Sequence, residues 1–177
     1  MIAKKRSTLK TLQEHLREKT LQKTYLCLVV GWISSDAQTI DKPLLKYTLP
    51  ATQEGKSGER RVKVDVKSED SKPSQTQINV LQKFALNGQK VSLIEAKPLT
   101  GRTHQIRVHM QHLHHPLVAD AVYGGAAEGG LQRQALHAFA LQFVHPITGQ
   151  DLALRAPPPD DFLTAAEKLG LQYNCPP

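Results

Sequence analysis

From Tyr25 to Val30 every position is apolar, which predicts a strand buried on both faces, and Gly31 ends it. Upstream, Leu9, Leu12 and Leu16 recur at i, i+3 and i+7 among Lys10, Gln13, Glu14 and Arg17. That spacing predicts a surface helix with one buried stripe, capped by Ser7 or Thr8. Residues 34–75 are polar and punctuated by Pro43, Pro50, Gly55, Gly58 and Pro73, so loops are expected there around a single short strand in RRVKVDV, residues 60–66. The run EGKSGERR at 54–61 lacks the order of a phosphate-binding Walker loop and reads as a mobile basic loop.

Downstream, Thr76, Ile78 and Val80 alternate with polar residues, and Val91, Leu93 and Glu95 oppose Ser92, Ile94 and Ala96. Asn87-Gly88 between the two runs predicts a hairpin closed by a type I′ turn. Past Pro98, Thr103 is placed to cap a helix that buries Ile106, Met110 and Leu113 until Pro116 stops it. LHAFALQFVHP and LALRAP then predict two strands around a turn at Pro146–Gly149, and Asp160 is placed to cap a last short helix reaching Leu169. The sum is an α+β domain, a mixed and mainly antiparallel sheet with a few flanking helices.

Composition narrows the function. At 177 residues and 40% hydrophobic, the chain supports one core. Lys and Arg exceed Asp and Glu by 23 to 16, a net charge of +7, which favours a polyanionic partner such as nucleic acid. The bases crowd the start (Lys4, Lys5, Arg6, Lys10, Arg17, Lys19, Lys23), where a helix face can be simply solvated or can touch RNA. Cys27 and Cys175 alone make neither a disulfide framework nor a zinc site, and a reducing cytoplasm fits. No apolar stretch approaches the roughly 20 residues of a membrane span, so no membrane partner is expected.

The chemistry gathers between Leu99 and Gly125, LTGRTHQIRVHMQHLHHPLVADAVYGG, which holds two arginines and five of the eight histidines. Arg102 stands at a predicted helix N-terminus, beside backbone donors suited to an anion. His109, His112, His114 and His115 invite a metal reading, but no HExxH, cysteine pair or carboxylate cluster completes a site, and no metal is expected. An amphipathic helix whose polar face carries histidines is the plainer alternative. Tyr25, at the strand edge, can pack or can stack on a flat ligand.

TGRTHQIRVH followed by HP, Asp and YG closely resembles the central motif of the RluA-type pseudouridine synthases of ribosomal and transfer RNA. KTYLCLVVG resembles the family's K-x-Y strand, SQT its S-x-T segment, and LHAFALQFVHPITG with LRAPPPDD its closing strands. The resemblance implies an enzyme that cleaves the glycosidic bond of a flipped uridine, turns the base and rejoins it through carbon, without a cofactor. It implies that Tyr25 packs on the uracil and that Arg102 pairs with and orients a catalytic aspartate. Lys23, Thr103, His104, Gln105 and Arg107 are then expected to hold RNA or shape the site, with large-subunit ribosomal RNA the expected partner.

The family's nucleophilic aspartate belongs to an HRLDxxTSG motif, and residues 1–177 contain no such run. Asp36, Asp41 and Asp120 stand outside any such context. Residues 1–177 are therefore expected to be a partial catalytic domain without the HRLD motif or an RNA-binding S4 domain, inactive alone, and prone to self-association through an exposed sheet edge. Met1–Ala3 reads as the end of a strand. The rival expectations are a non-catalytic RNA-binding remnant and the product of a misassigned start. Two smaller departures are His114 and Ala119, where the family often has glycine; His114 is expected in a left-handed helix cap.

Overall fold

The apolar run is the strand β1 (Gln22–Val30), and it lies inside a six-stranded sheet, flanked on one side by β6 (Gln89–Pro98) and on the other by β7 (Leu136–Val144). The computed structural model describes residues 3–18, 20–50 and 58–171. β2 (Ala37–Asp41) and β5 (Gln75–Leu86) extend the sheet beyond β6, and β8 (Asp151–Arg155) extends it beyond β7. The order is β2-β5-β6-β1-β7-β8, with every pairing antiparallel. β3 (Leu44–Thr48) and β4 (Arg60–Val64) form a separate two-stranded ribbon.

Among the described residues, three helices complete the α+β architecture: α1 (Arg6–Arg17), α2 (Gln105–His112) and α3 (Asp160–Lys168). Leu26 and Leu28 of β1 pack in the cluster that contains Phe162, Ala165 and Ala166 of α3. Cys27 and Val29, alternating with them, pack in the cluster that contains Ile106 and Met110 of α2. Because side chains alternate across a strand, a helix on each face demands apolar residues at every position. That is why this one strand reads as continuously apolar. Burial also pushes the Cys27 thiol far up, so it stays protonated.

The Asn87-Gly88 turn closes β5 onto β6 with φ of 52° and 83°, the two positive values a type I′ turn requires. Other expectations shift. The polar stretch 34–75 holds β2 and β3 as well as β4. β2 pairs on one side only and buries only Ile40, while β3 buries only Leu44, so neither carries a strong apolar alternation. The first half of the 54–61 basic loop, residues 54–57, lies outside the described residues, as do Met1 and Ile2 of the expected strand remnant, while Arg60 and Arg61 open β4. In α1 only Leu12 is buried, whereas Leu9 and Leu16 are nearly half exposed.

The residues at the helix caps are Lys5, His104 and Pro159, and none makes a side-chain capping bond. Ser7, Thr8, Thr103 and Asp160 are thus not the caps. Asp160 and Asp161 instead sit inside the first turn of α3, where their charge suits the helix dipole. α2 ends as a Schellman motif: His115 N donates to Met110 O at 2.9 Å and His114 N to Gln111 O at 2.9 Å, with His114 at φ 61°. Ala119 is also left-handed, at φ 58°. No described helix is long and apolar enough to cross a membrane.

Candidate functional site

A cavity of about 420 Å³ opens where β1, the 98–104 loop, the start of α2 and the start of β7 meet. Lys23 and Tyr25 of β1 line it with Arg102, His104, Arg107 and Leu136. Tyr25 lies on the α2 face of β1, opposite Ala96 of β6 and Ala138 of β7. Two methyl side chains beside it leave room along the ring for another flat group. Burial, reinforced by Cys27, raises the Tyr25 phenol above its ordinary range and keeps it neutral. Lys23, Arg102 and Arg107 bring positive charge, and among the described residues no carboxylate lines the cavity.

The loop carrying Arg102 is fixed by Gln105, which is buried. Its Oε1 accepts from Thr100 Oγ1 at 2.7 Å and from the Arg102 backbone N–H at 3.0 Å. Its Nε2 donates to Gln75 O at 2.8 Å and to Thr76 Oγ1 at 3.0 Å. One turn on, His109 Nε2 donates to Lys42 O at 3.0 Å, so Nδ1, 2.8 Å from Thr76 Oγ1, is left to accept that hydroxyl's proton. Burial pulls the His109 pKa down, consistent with this neutral form. The i, i+4 spacing of Gln105 and His109 places both on the face of α2 that meets β5. Both amide ends of Gln105 are engaged inside the protein, so at the cavity it acts by holding the loop.

Arg107 grips Asp120 through Nε and Nη2, both at 2.7 Å, with side-chain exposures of 11% and 1%. Its guanidinium also lies 4.8 Å from the centre of the Tyr123 ring. Asp120 accepts from the Tyr123 backbone N–H at 3.2 Å, and Gly125 N donates to Asp120 O at 2.8 Å. A Cβ on Gly125 would stand 1.7 Å from Leu117 O, so the second glycine of the YGG run is required by close approach. Tyr123 Oη in turn lies 2.8 Å from His104 Nδ1, with the rings edge to face. Burial and the nearby Arg107 charge lower the His104 pKa, so the ring is neutral at pH 7.

Arg102 is exposed, and its Nε donates to Pro73 O at 3.2 Å. It stands where the cavity meets a groove of about 700 Å³ carrying Arg17, Lys23 and Lys97, and a recess of about 410 Å³ carrying Lys46, Lys72 and Asp70. Of the residues singled out in the sequence, Lys23, Tyr25, Arg102, His104, Gln105 and Arg107 line the cavity, while Thr103 faces the neighbouring recess. Gln134 and Leu136 joined the cavity only through the fold. The histidines of the motif go to separate partners: His115 Nδ1 bonds Val30 O at 2.8 Å, and His112 and His114 are exposed. Among the described residues no three metal-ligating side chains converge.

Comparison with known proteins places this arrangement. A family model described as RNA pseudouridylate synthase matches residues 1–112. The ribosomal large subunit pseudouridine synthase C of Pasteurella multocida is 44% identical over 163 residues, covering 89% of this chain and 46% of that protein. The protein of the same name from Escherichia coli strain K12 is 42% identical, covering 96% of this chain and 51% of its own. The chain therefore spans about half the length of these curated relatives. Among solved structures, human RNA pseudouridylate synthase domain containing 1 superposes with a TM-score of 0.70 at 31% identity, over 89% of this chain and 62% of that one. Human RNA pseudouridylate synthase domain containing 4 gives 0.74 at 23% identity, over 96% and 70%, a likeness of fold.

Proposed function

This chain belongs to the RNA pseudouridylate synthase family, of the RluA type, and on that premise we propose that its cavity receives a uridine flipped out of large-subunit ribosomal RNA. The observation that carries the reading is that Tyr25 and Arg102, far apart in sequence, line one cavity together with Lys23. Tyr25 supplies a face for the uracil, and Arg102 supplies a fixed positive charge at the mouth, able to keep a carboxylate ionised. Lys23, Arg17 and Lys97 offer the adjoining groove to phosphates. Thr103 contributes from the recess beside it.

The isomerisation needs a nucleophilic carboxylate, and the three aspartates weighed for that role in the sequence are committed elsewhere. Asp120 is held by Arg107, Asp36 pairs with Lys83 at 2.8 Å, and Asp41 accepts from Gln75 at 2.7 Å. We therefore expect these 177 residues to bind RNA without turning it over. Two measurements decide this. Binding to a ribosomal RNA fragment should weaken steeply with salt, as phosphate contacts require. Tritium release from 5-tritiated uridine RNA should stay at background; robust release would refute the inactivity, and salt-insensitive or absent binding would refute the RNA reading. β2 and β8 are the sheet edges, and self-association through one of them would show as a concentration-dependent mass in sedimentation.

A further inference from the structure

His104 occupies a position that a helix start does not explain. It is the residue before α2, yet it adopts a left-handed φ of 53° and makes no capping bond. A non-glycine residue held there stores strain, which the ring's placement against Tyr123 accounts for. Burial raises the Tyr123 phenol above its ordinary range, so the hydroxyl keeps its proton. That proton is available to donate to His104 Nδ1, 2.8 Å away. A neutral imidazole that accepts at Nδ1 carries its proton on Nε2. Nε2 has no partner among the described residues, and the ring lines the cavity.

We propose that His104 reads the pyrimidine: its Nε2–H, fixed by Tyr123, donates to a ring carbonyl of the base held in the cavity. This rests on the cavity being the uridine pocket. The anchorage is rigid, because Arg107 packs on Tyr123 at 4.8 Å and is itself clamped by Asp120. The chemistry of uracil suits a single fixed donor. Its two carbonyls flank N3, so turning the ring over about the N3–C6 axis exchanges N1 for C5 toward the sugar and also exchanges O2 for O4. One donor therefore meets an oxygen before the turn and another after it.

The test has two arms. In long-range proton–nitrogen spectra of the 177-residue chain, His104 should appear as the Nε2–H tautomer at neutral pH and shift toward a mixture in Tyr123→Phe. An Nδ1–H tautomer in the unaltered protein would overturn the proposal. In the second arm, binding is measured to one short RNA carrying uridine, 2-thiouridine or 4-thiouridine at a single position, since a thiocarbonyl is a poor acceptor. One of the two thio substitutions should weaken binding by roughly three- to tenfold, the worth of one hydrogen bond. His104→Ala should bind all three RNAs alike, and His104→Asn, which tolerates the left-handed backbone and keeps an N–H donor, should restore part of the difference. Binding by the unaltered protein that ignores both substitutions overturns the role of His104 while leaving the RNA reading intact. Absence of any RNA binding overturns the uridine pocket itself, and the inference with it.

Discussion

Arg107 and Asp120, thirteen residues apart, are joined by two parallel hydrogen bonds of 2.7 Å, and Asp120 is all but fully buried. The pair fastens the 117–125 turn to α2, and through Tyr123 it sets the ring of His104. Removing one partner strands the other as a buried charge. Asp120→Ala is expected to cost about 3–5 kcal/mol of stability, read as a lowered urea midpoint. An unchanged midpoint would show that the pair holds nothing in place.

Gln105 makes four internal bonds that tie the Arg102 loop to β5 and α2. Gln105→Leu keeps most of the volume but leaves buried donors and acceptors unpaired, at a cost of about 2 kcal/mol or more. RNA affinity should fall because the Arg102 loop loosens. The slope of affinity against salt should stay as it was, since no cation has been removed. A reduced slope would mean instead that a phosphate contact was lost.

The exposed His114 holds the left-handed position of the cap that ends α2. Among the described residues its side chain makes no hydrogen bond or ion pair that glycine would forfeit, and the backbone strain would be relieved. His114→Gly should therefore raise stability by about 1 kcal/mol. Thermal denaturation checks this, and a lowered Tm would indicate that the imidazole makes a contact of its own.

His109 is fully buried and neutral, with a pKa held below its ordinary value mainly by desolvation. The unfolded chain takes up a proton near pH 6.5 that the folded one refuses. Stability from this group is thus whole above that pH and drains away as pH falls toward the folded pKa. Urea midpoints measured from pH 8 to pH 5 should fall for the native chain and fall less for His109→Gln. Parallel curves for the two proteins would assign the pH dependence elsewhere.

How much of this was legible in the chain follows from the range of the interactions. The run Tyr25–Val30, the Asn87-Gly88 turn and the Ile106–Met110 stripe could be read because each reports a local requirement: burial on two faces, two positive φ values, one apolar helix face. β2 and β3 could not, because a one-sided pairing that buries only Ile40 or Leu44 leaves the remaining positions polar. The helix caps went to Lys5, His104 and Pro159, none of which makes the side-chain capping bond by which a cap is read from sequence.

For the site, the sequence by itself determined the candidates that the fold then brings to one cavity: the 99–125 motif marked Arg102, His104, Gln105 and Arg107, and the K-x-Y strand marked Lys23 and Tyr25. Only the tertiary structure decided what each is free to do. Gln105 is committed to Gln75, Thr76 and Thr100, and Arg107 to Asp120, while Arg102 remains exposed at the mouth of the cavity. The physical reason is that a side chain's type fixes which bonds it can make, whereas which bonds remain for a ligand depends on the groups that folding has already brought against it.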